Sequence, residues 1–200
     1  MASRLEKGFA AHLPQCEKLT EVKGMVLIRG IVGGLCTILL CCSLPAEAEG
    51  PSAPVALLNH LAGAWVLRGT IAGKPTTHDV HAEWVLNHEY LQLHEISREK
   101  NAGGGAAYEA IVYIEWDAKA QQYKCLWLDS TSGGGLSPEG IARAKQAEDE
   151  IPFVFTLSAS DQIHTTFRYD KAGDSWQWLI DNVVSARTQR FADVRLTRAR

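Results

Sequence analysis

Residues 77–98 read THDVHAEWVLNHEYLQLHEISR, and the way this stretch pairs with itself decides the fold. A two-residue turn at Asn87-His88 suits the positive φ of a type I′ hairpin, which Asn tolerates. It sets Trp84 opposite Leu91 and Ala82 opposite Leu93 on one side, and His81 opposite His94 and Glu83 opposite Gln92 on the other. Side chains alternate along a strand, so a slip of one residue would set Trp84 against Gln92 or Tyr90 and mix the two faces. The sorted register therefore predicts an antiparallel hairpin with one buried face, and the apolar side is expected to be the inner one.

Working outward, the same pattern recurs. A loop at 117–120 sets Ile114 against Tyr123, Val112 against Cys125 and Ala110 against Trp127. Around the loop 170–175, Tyr169 meets Trp176 and Phe167 meets Trp178, with His164 opposite Asp181 and Arg168 opposite Gln177 on the other face. Phe153, Phe155 and Leu157 align with Phe167, Thr165 and Ile163 across 159–161. Gly, Asp, Asn, Ser and Pro clusters separate strands predicted at 64–72, 77–86, 90–98, 107–116, 122–130, 140–146, 151–158, 162–169, 175–183 and 189–198. Only 55–61 reads as helix, a short one before the first strand. Sequential hairpins of about ten strands close best as an all-β, antiparallel up-and-down barrel, which removes exposed edges and leaves room for a small ligand.

Ahead of the strands the composition changes. Residues 30–44 are an apolar run behind Lys23 and Arg29, followed by Pro45-Ala46-Glu47-Ala48, whose small residues fit signal peptidase. The run is shorter than the ~20 residues a membrane-spanning helix needs. Residues 25–48 are read as a signal peptide cleaved after Ala48, a retained anchor being the alternative, and 1–24 as an upstream extension with Met25 the functional start. Residues 49–200 then form one domain, periplasmic or secreted, with no stable membrane insertion after cleavage. Cys16, Cys36, Cys41 and Cys42 all precede the cleavage point, so Cys125 stands alone in the mature chain and no internal disulfide forms. The remainder keeps 15 of the 20 Lys and Arg and 19 of the 23 Asp and Glu. That slightly acidic balance offers no electrostatic footprint for nucleic acid or acidic lipid.

Leu61-Ala62-Gly63-Ala64-Trp65, a short helix running into a Gly-x-Trp, resembles the start of the lipocalin and calycin barrels. In those families the Trp closes one end and a basic residue of the last strand packs over its ring. The resemblance implies that role for Trp65 with Arg195, or with Arg198 in the same run, as a cation–π closure. The segments GAWVLRGTIAGKP, AEWVLNHEYLQLHE and YDKAGDSWQWLID look more closely like a family of secreted bacterial calycin-like proteins of unknown function, over about 57–198. The nitrobindin-like branch of small ten-stranded barrels binds haem through one histidine. Its Gly-x-Gly-x-Tyr-Pro run is replaced here by Leu67-Arg68-Gly69-Thr70, and no histidine carries over.

Four groups of residues are candidates for function. Trp84, Trp127, Phe155, Phe167 and Trp178 fall on apolar faces, and are expected either to fill a core or to wall a cavity for an apolar or amphipathic molecule. His78-x-x-His81 cannot chelate from a strand, because residues three apart point to opposite faces. His81, Glu83 and His94 share a face, and offer a transition-metal site as an alternative to a solvated outer surface. His164 with Asp181 and Arg168 is either a stabilising cross-strand pair or a general-base dyad. The tracts 103–105 and 133–135 lack the following Lys-Ser or Lys-Thr of a phosphate loop, and are read as loops or as a flap over the barrel mouth. The leading expectation is an exported small-molecule binder with no cofactor predicted, the question of enzymatic activity being left open with the balance against it. The rivals are a metal- or haem-dependent enzyme at His81, Glu83 and His94, and an interaction barrel with a filled core.

Overall fold

The computed structural model describes residues 52–131 and 136–200. The leader and extension readings, and the tract 133–135, lie outside the described residues. Elements follow in the order α1 (Ala53–Leu61), β1 (Gly63–Ile71), β2 (Lys74–Val85), β3 (Tyr90–Ser97), β4 (Glu109–Asp117), β5 (Gln122–Asp129), a 3-10 turn (Pro138–Gly140), β6 (Ile141–Ala144), β7 (Glu150–Thr156), β8 (Asp161–Asp170), β9 (Ser175–Val184) and β10 (Arg187–Arg198). Each strand is hydrogen-bonded to its sequence neighbour, and β1 also pairs with β10, which closes a ten-stranded antiparallel barrel.

The hairpin β2–β3 has the predicted register, with His81 beside His94, Ala82 beside Leu93 and Trp84 beside Leu91. Its turn places Asn87 at φ 59° and His88 at φ 65°, and the Glu89 amide donates to Leu86 O at 3.3 Å. The apolar side faces inward: Ala82, Leu91 and Leu93 are buried, whereas the His81 side chain is 60% exposed. Pairing across β8–β9 is also as expected, including Phe167 beside Trp178 and His164 beside Asp181.

Two predicted registers are off by two residues. In β4–β5, Ile114 pairs with Cys125 and Val112 with Trp127, and the ladder continues to Asp117 beside Gln122. The Asp117 carboxylate accepts the Ala120 amide at 2.9 Å and Gln121 takes φ 52°, so the turn sits one residue later, at 118–121. In β7–β8, Phe153 pairs with Thr165 and Phe155 with Ile163, while Leu157 lies half exposed in a turn whose amides bond Asp161 O and Ser158 Oγ. A shift of two preserves side-chain parity, so the inward faces are those expected although the partners differ.

Helix α1 plugs one end of the barrel. Pro54 pre-sets its first turn, and Leu57, Leu58 and Leu61 form its buried face. A nine-residue helix is marginal alone. Each buried leucine contributes about 1.5–3 kcal/mol, so packing holds the helix in place. Gly63 then turns the chain at φ 125°, where a Cβ would lie 2.5 Å from Arg198 Nη1. The barrel half next to α1 is filled by Trp65, Tyr123, Phe153, Phe167 and Trp176. β6 is the thinnest strand, with one residue pair, Arg143 and Val154, joining it to β7.

The closure at the plugged end is a Trp65–Arg198 contact. The guanidinium carbon lies 3.8 Å from the Trp65 ring centroid. Its nitrogens donate to His60 O at 3.1 Å, in the last turn of α1, and to Ala62 O at 2.7 Å, the residue that caps it. Trp65 Nε1 donates to Leu61 O at 2.7 Å. The expectation of Arg195 in this role is corrected: Arg195 pairs with Arg68 in the β1–β10 ladder and reaches Asp170 and Ser175 on the outer wall.

Candidate functional site

The barrel half away from α1 is open. Inward aromatic and aliphatic side chains on one side and polar ones on the other leave a cavity of about 660 Å³, bounded by the ends of β1, β3, β5, β7 and β9 and the starts of β2, β4, β8 and β10. The filled-core expectation therefore holds for one half of the lumen and fails for the other. Two residues of the mouth are exposed apolar groups, Leu157 and Phe191. Phe191 is the extra residue of a β-bulge in β10, between Arg190 beside Asp181 and Ala192 beside Ile180.

The apolar wall is aromatic. Trp127 packs edge-on to Phe155 at 6.2 Å and lies 5.4 Å from Trp178, whose other side stacks on Phe167 at 4.5 Å. Of the five expected wall residues, Trp127, Phe155 and Trp178 line the cavity. Phe167 is wholly buried behind Trp178 and belongs to the core. Trp84 is directed to the plugged end instead, because its strand runs toward α1: its Nε1 donates to Asn59 Oδ1 at 2.8 Å and its ring stacks on His88. The indole N–H of Trp178 is buried without a partner among the described residues, a state that costs about 1–3 kcal/mol if left unmet.

Opposite this wall is a polar sector on β2, β3, β4 and β5. His78 and Glu95 are both 3% exposed, and His78 Nδ1 contacts Glu95 Oε1 in a short bond. His78 Nε2 meets Thr76 Oγ1 at 2.7 Å, and Thr76 in turn donates to Glu99 Oε2 at 3.2 Å. Ser97 Oγ donates to Glu99 O and accepts the Tyr108 amide. Tyr108 lies over the His78 ring at 5.8 Å, and its hydroxyl accepts from Trp127 Nε1 at 3.2 Å. Burial first, and then the nearby Glu95 and Asp129 carboxylates, push the Tyr108 hydroxyl well above the usual phenol range, so it stays protonated.

This sector was not among the sequence candidates, yet its signal was present. Once His81 is assigned outward, strand parity sends His78 inward, and Glu95 and Ser97 fall on the same inner face as Leu91 and Leu93. Polar residues that share the parity of a buried stripe mark a lined cavity rather than a surface.

The expected outer-face groups are where polar-out alternation puts them, but they do not form a site. His81 lies 3.9 Å from Glu83, and His94 is instead bonded to Glu109 at 2.7 Å. Among the described residues, no group of three or more His, Cys, Asp or Glu is placed to hold a metal ion. His164 bonds Gln162 at 3.0 Å, and Asp181 is taken by Arg190 at 2.7 Å, so the ladder neighbours are not bonded as a dyad. Arg168 pairs with Glu150. Cys125 is fully buried, and burial alone pushes its thiol far up, away from reactivity. The loop 103–105 is tied by the Asn101 side chain, which accepts from the Gly103 and Gly105 amides.

His78 is the one histidine lining the lumen among the described residues, with Nδ1 held by Glu95 and with Nε2, the nitrogen that would have to be freed for haem iron, bonded to Thr76. Haem propionates would also meet Glu95, Glu99, Asp129 and Glu139 with Lys74 as the lone lysine of the lining.

No protein-family model matches the chain, and no curated protein matches it. Among solved structures, the chain is similar to the crystal structure of Rv2717c from M. tuberculosis, at 16% identity and a TM-score of 0.49, over 76% of this chain and 100% of that one. The barrel assignment rests on the strand pairing itself.

Proposed function

We propose that this protein is an exported, calycin-like small-molecule binder that holds an apolar or amphipathic ligand in the open half of its barrel. The observation that carries the reading is the cavity of about 660 Å³ walled by Trp127, Phe155, Trp178 and Ile180. A concave, mainly apolar space of this size with a few convergent polar groups is the usual form of a small-molecule site. Calycin kinship is supported by Gly63-x-Trp65 and the arginine over the indole. Export is supported by the apolar run and small residues ahead of Ala48.

The test is intrinsic tryptophan fluorescence together with thermal unfolding, for a panel of fatty acids, fatty amines, retinoids and flavins. Ligands in the lumen will quench Trp127 and Trp178 and raise the melting temperature, and Trp127→Phe will remove much of the quenching. If no compound in the panel alters either signal, the binding reading falls.

A further inference from the structure

We infer that the lumen selects ligands carrying an ammonium group on an apolar body. The inference rests on the ligand-binding reading above and names the class of ligand. It comes from counting which hydrogen-bonding groups of the polar sector remain unspent.

The donors are already used. His78 Nδ1 is held by Glu95, and its Nε2 is paired with Thr76. The hydroxyls of Thr76 and Ser97 donate to Glu99 Oε2 and Glu99 O, and that of Thr131 donates to Asp129. Trp127 Nε1 is spent on the Tyr108 hydroxyl, whose own proton faces the Asp129 carboxylate. What remains is acceptor capacity. Glu95 lines the cavity with its side chain 4% exposed, and its second oxygen has no donor among the described residues. This oxygen is not among the occluded unpaired atoms, so it is reached from the cavity and can accept a donor that a ligand supplies.

Charge points the same way. Glu95, Glu99, Asp129 and Glu139 line the space, against Lys74 and the His78 already engaged by Glu95. A carboxylate ligand would enter against this field, with only neutral donors beyond Lys74, such as the Thr165 hydroxyl and the Asn182 amide, to meet it. An alcohol would gain one bond to Glu95. An alkyl- or arylammonium supplies up to three donors and a countercharge, with the faces of Tyr108 and Trp127 nearby to favour a cation. Its apolar body would lie along Trp127, Phe155 and Trp178.

The experiment compares decylamine, decanol and decanoate, which share one chain and differ in head group. Each is titrated at pH 7 in about 0.1 M salt, below its aggregation concentration, by tryptophan fluorescence and calorimetry. The expected order is amine, then alcohol, then acid, with the amine at least ten-fold tighter than the alcohol. Glu95→Gln should remove most of the amine's advantage, bringing its affinity close to that of decanol for the same variant. Asp129→Asn, further from the buried pair, gives a smaller loss and serves if Glu95→Gln misfolds.

Decanol or decanoate binding as tightly as the amine would overturn the inference and leave the binder intact. So would an amine preference that neither variant reduces, which would mark a surface effect. If none of the three binds while another compound of the wider panel does, the head-group inference alone fails. If nothing binds at all, the binding reading fails with it.

Discussion

Replacing Arg198 by Ala removes three things at once from the plugged end. The first is a cation–π contact with Trp65, worth about 0.5–2 kcal/mol. The second is a pair of charged hydrogen bonds to the terminal carbonyls of α1, of the class worth roughly 1.5–3 kcal/mol where desolvated and less here, since the side chain is 39% exposed. The third is the bond to Asp174, an exposed pair that solvent screens and that adds little. Together these predict a loss of about 2–4 kcal/mol in urea unfolding, or a fall of roughly 4–12 °C in melting temperature for a domain of this size. Arg198→Lys keeps a charge near Asp174 but has no planar fork to span two carbonyls and the indole, so it should recover less than half. Arg195→Ala is the control, because its partners Asp170 and Ser175 lie on the outer wall, and it should cost at most about 1 kcal/mol. Equilibrium unfolding followed by Trp65-sensitive fluorescence and by circular dichroism measures all three. If Arg198→Ala stays within about 0.5 kcal/mol of wild type, or costs no more than Arg195→Ala, the closure assigned to Arg198 is refuted.

The buried His78–Glu95 pair gives a second test: His78→Leu alone strands the Glu95 carboxylate and should cost about 3–5 kcal/mol, whereas His78→Leu with Glu95→Leu should recover most of that loss in a double-mutant cycle. Additive losses would show that the two side chains are not coupled. Acid sensitivity should weaken in Arg198→Ala. Arg198 holds the Asp174 carboxyl below its ordinary value of 3.8, so its contribution is complete above about pH 4 and is lost as pH falls through the depressed folded value. The wild-type slope of stability between pH 5 and 2 should therefore exceed the variant's, and equal slopes would contradict the pairing. Finally, Cys125 should be inert to a thiol reagent in the native protein and react at full rate in denaturant. Rapid native labelling would mean that the β4–β5 wall opens far below the global unfolding free energy.

How far the sequence could be read depended on which quantities parity controls. Alternation with period two sorts faces, and it did so for the four hairpins whose register was read, which is why the barrel, the inward Trp127, Phe155 and Trp178, and the outward His81 were legible. Parity does not distinguish a register from one shifted by two, and turn chemistry makes that choice. Asp117 and Ser158 closed their turns through side-chain bonds that apolar matching alone does not reveal. Depth along the barrel was equally invisible. Trp84 and Trp127 share an inward parity, but one meets Asn59 of the helix and the other meets Tyr108 at the open end. The His78–Glu95 sector is not a cluster on a polar face, and its signal is two polar residues at the wrong parity for a core.

The pairing of β1 with β10 makes the first strand wait for the last. Until Arg187–Arg198 has been synthesised, β1 and β9 both present open edges, and the plug has no arginine to fasten its carbonyls. Closure is thus a long-range event, slow relative to hairpin formation and exposed to strand-to-strand aggregation while it is pending. A premature stop anywhere before β10 should yield aggregates in place of a slightly shorter barrel, and dilute refolding of the intact chain should show a late phase in which Trp65 becomes shielded.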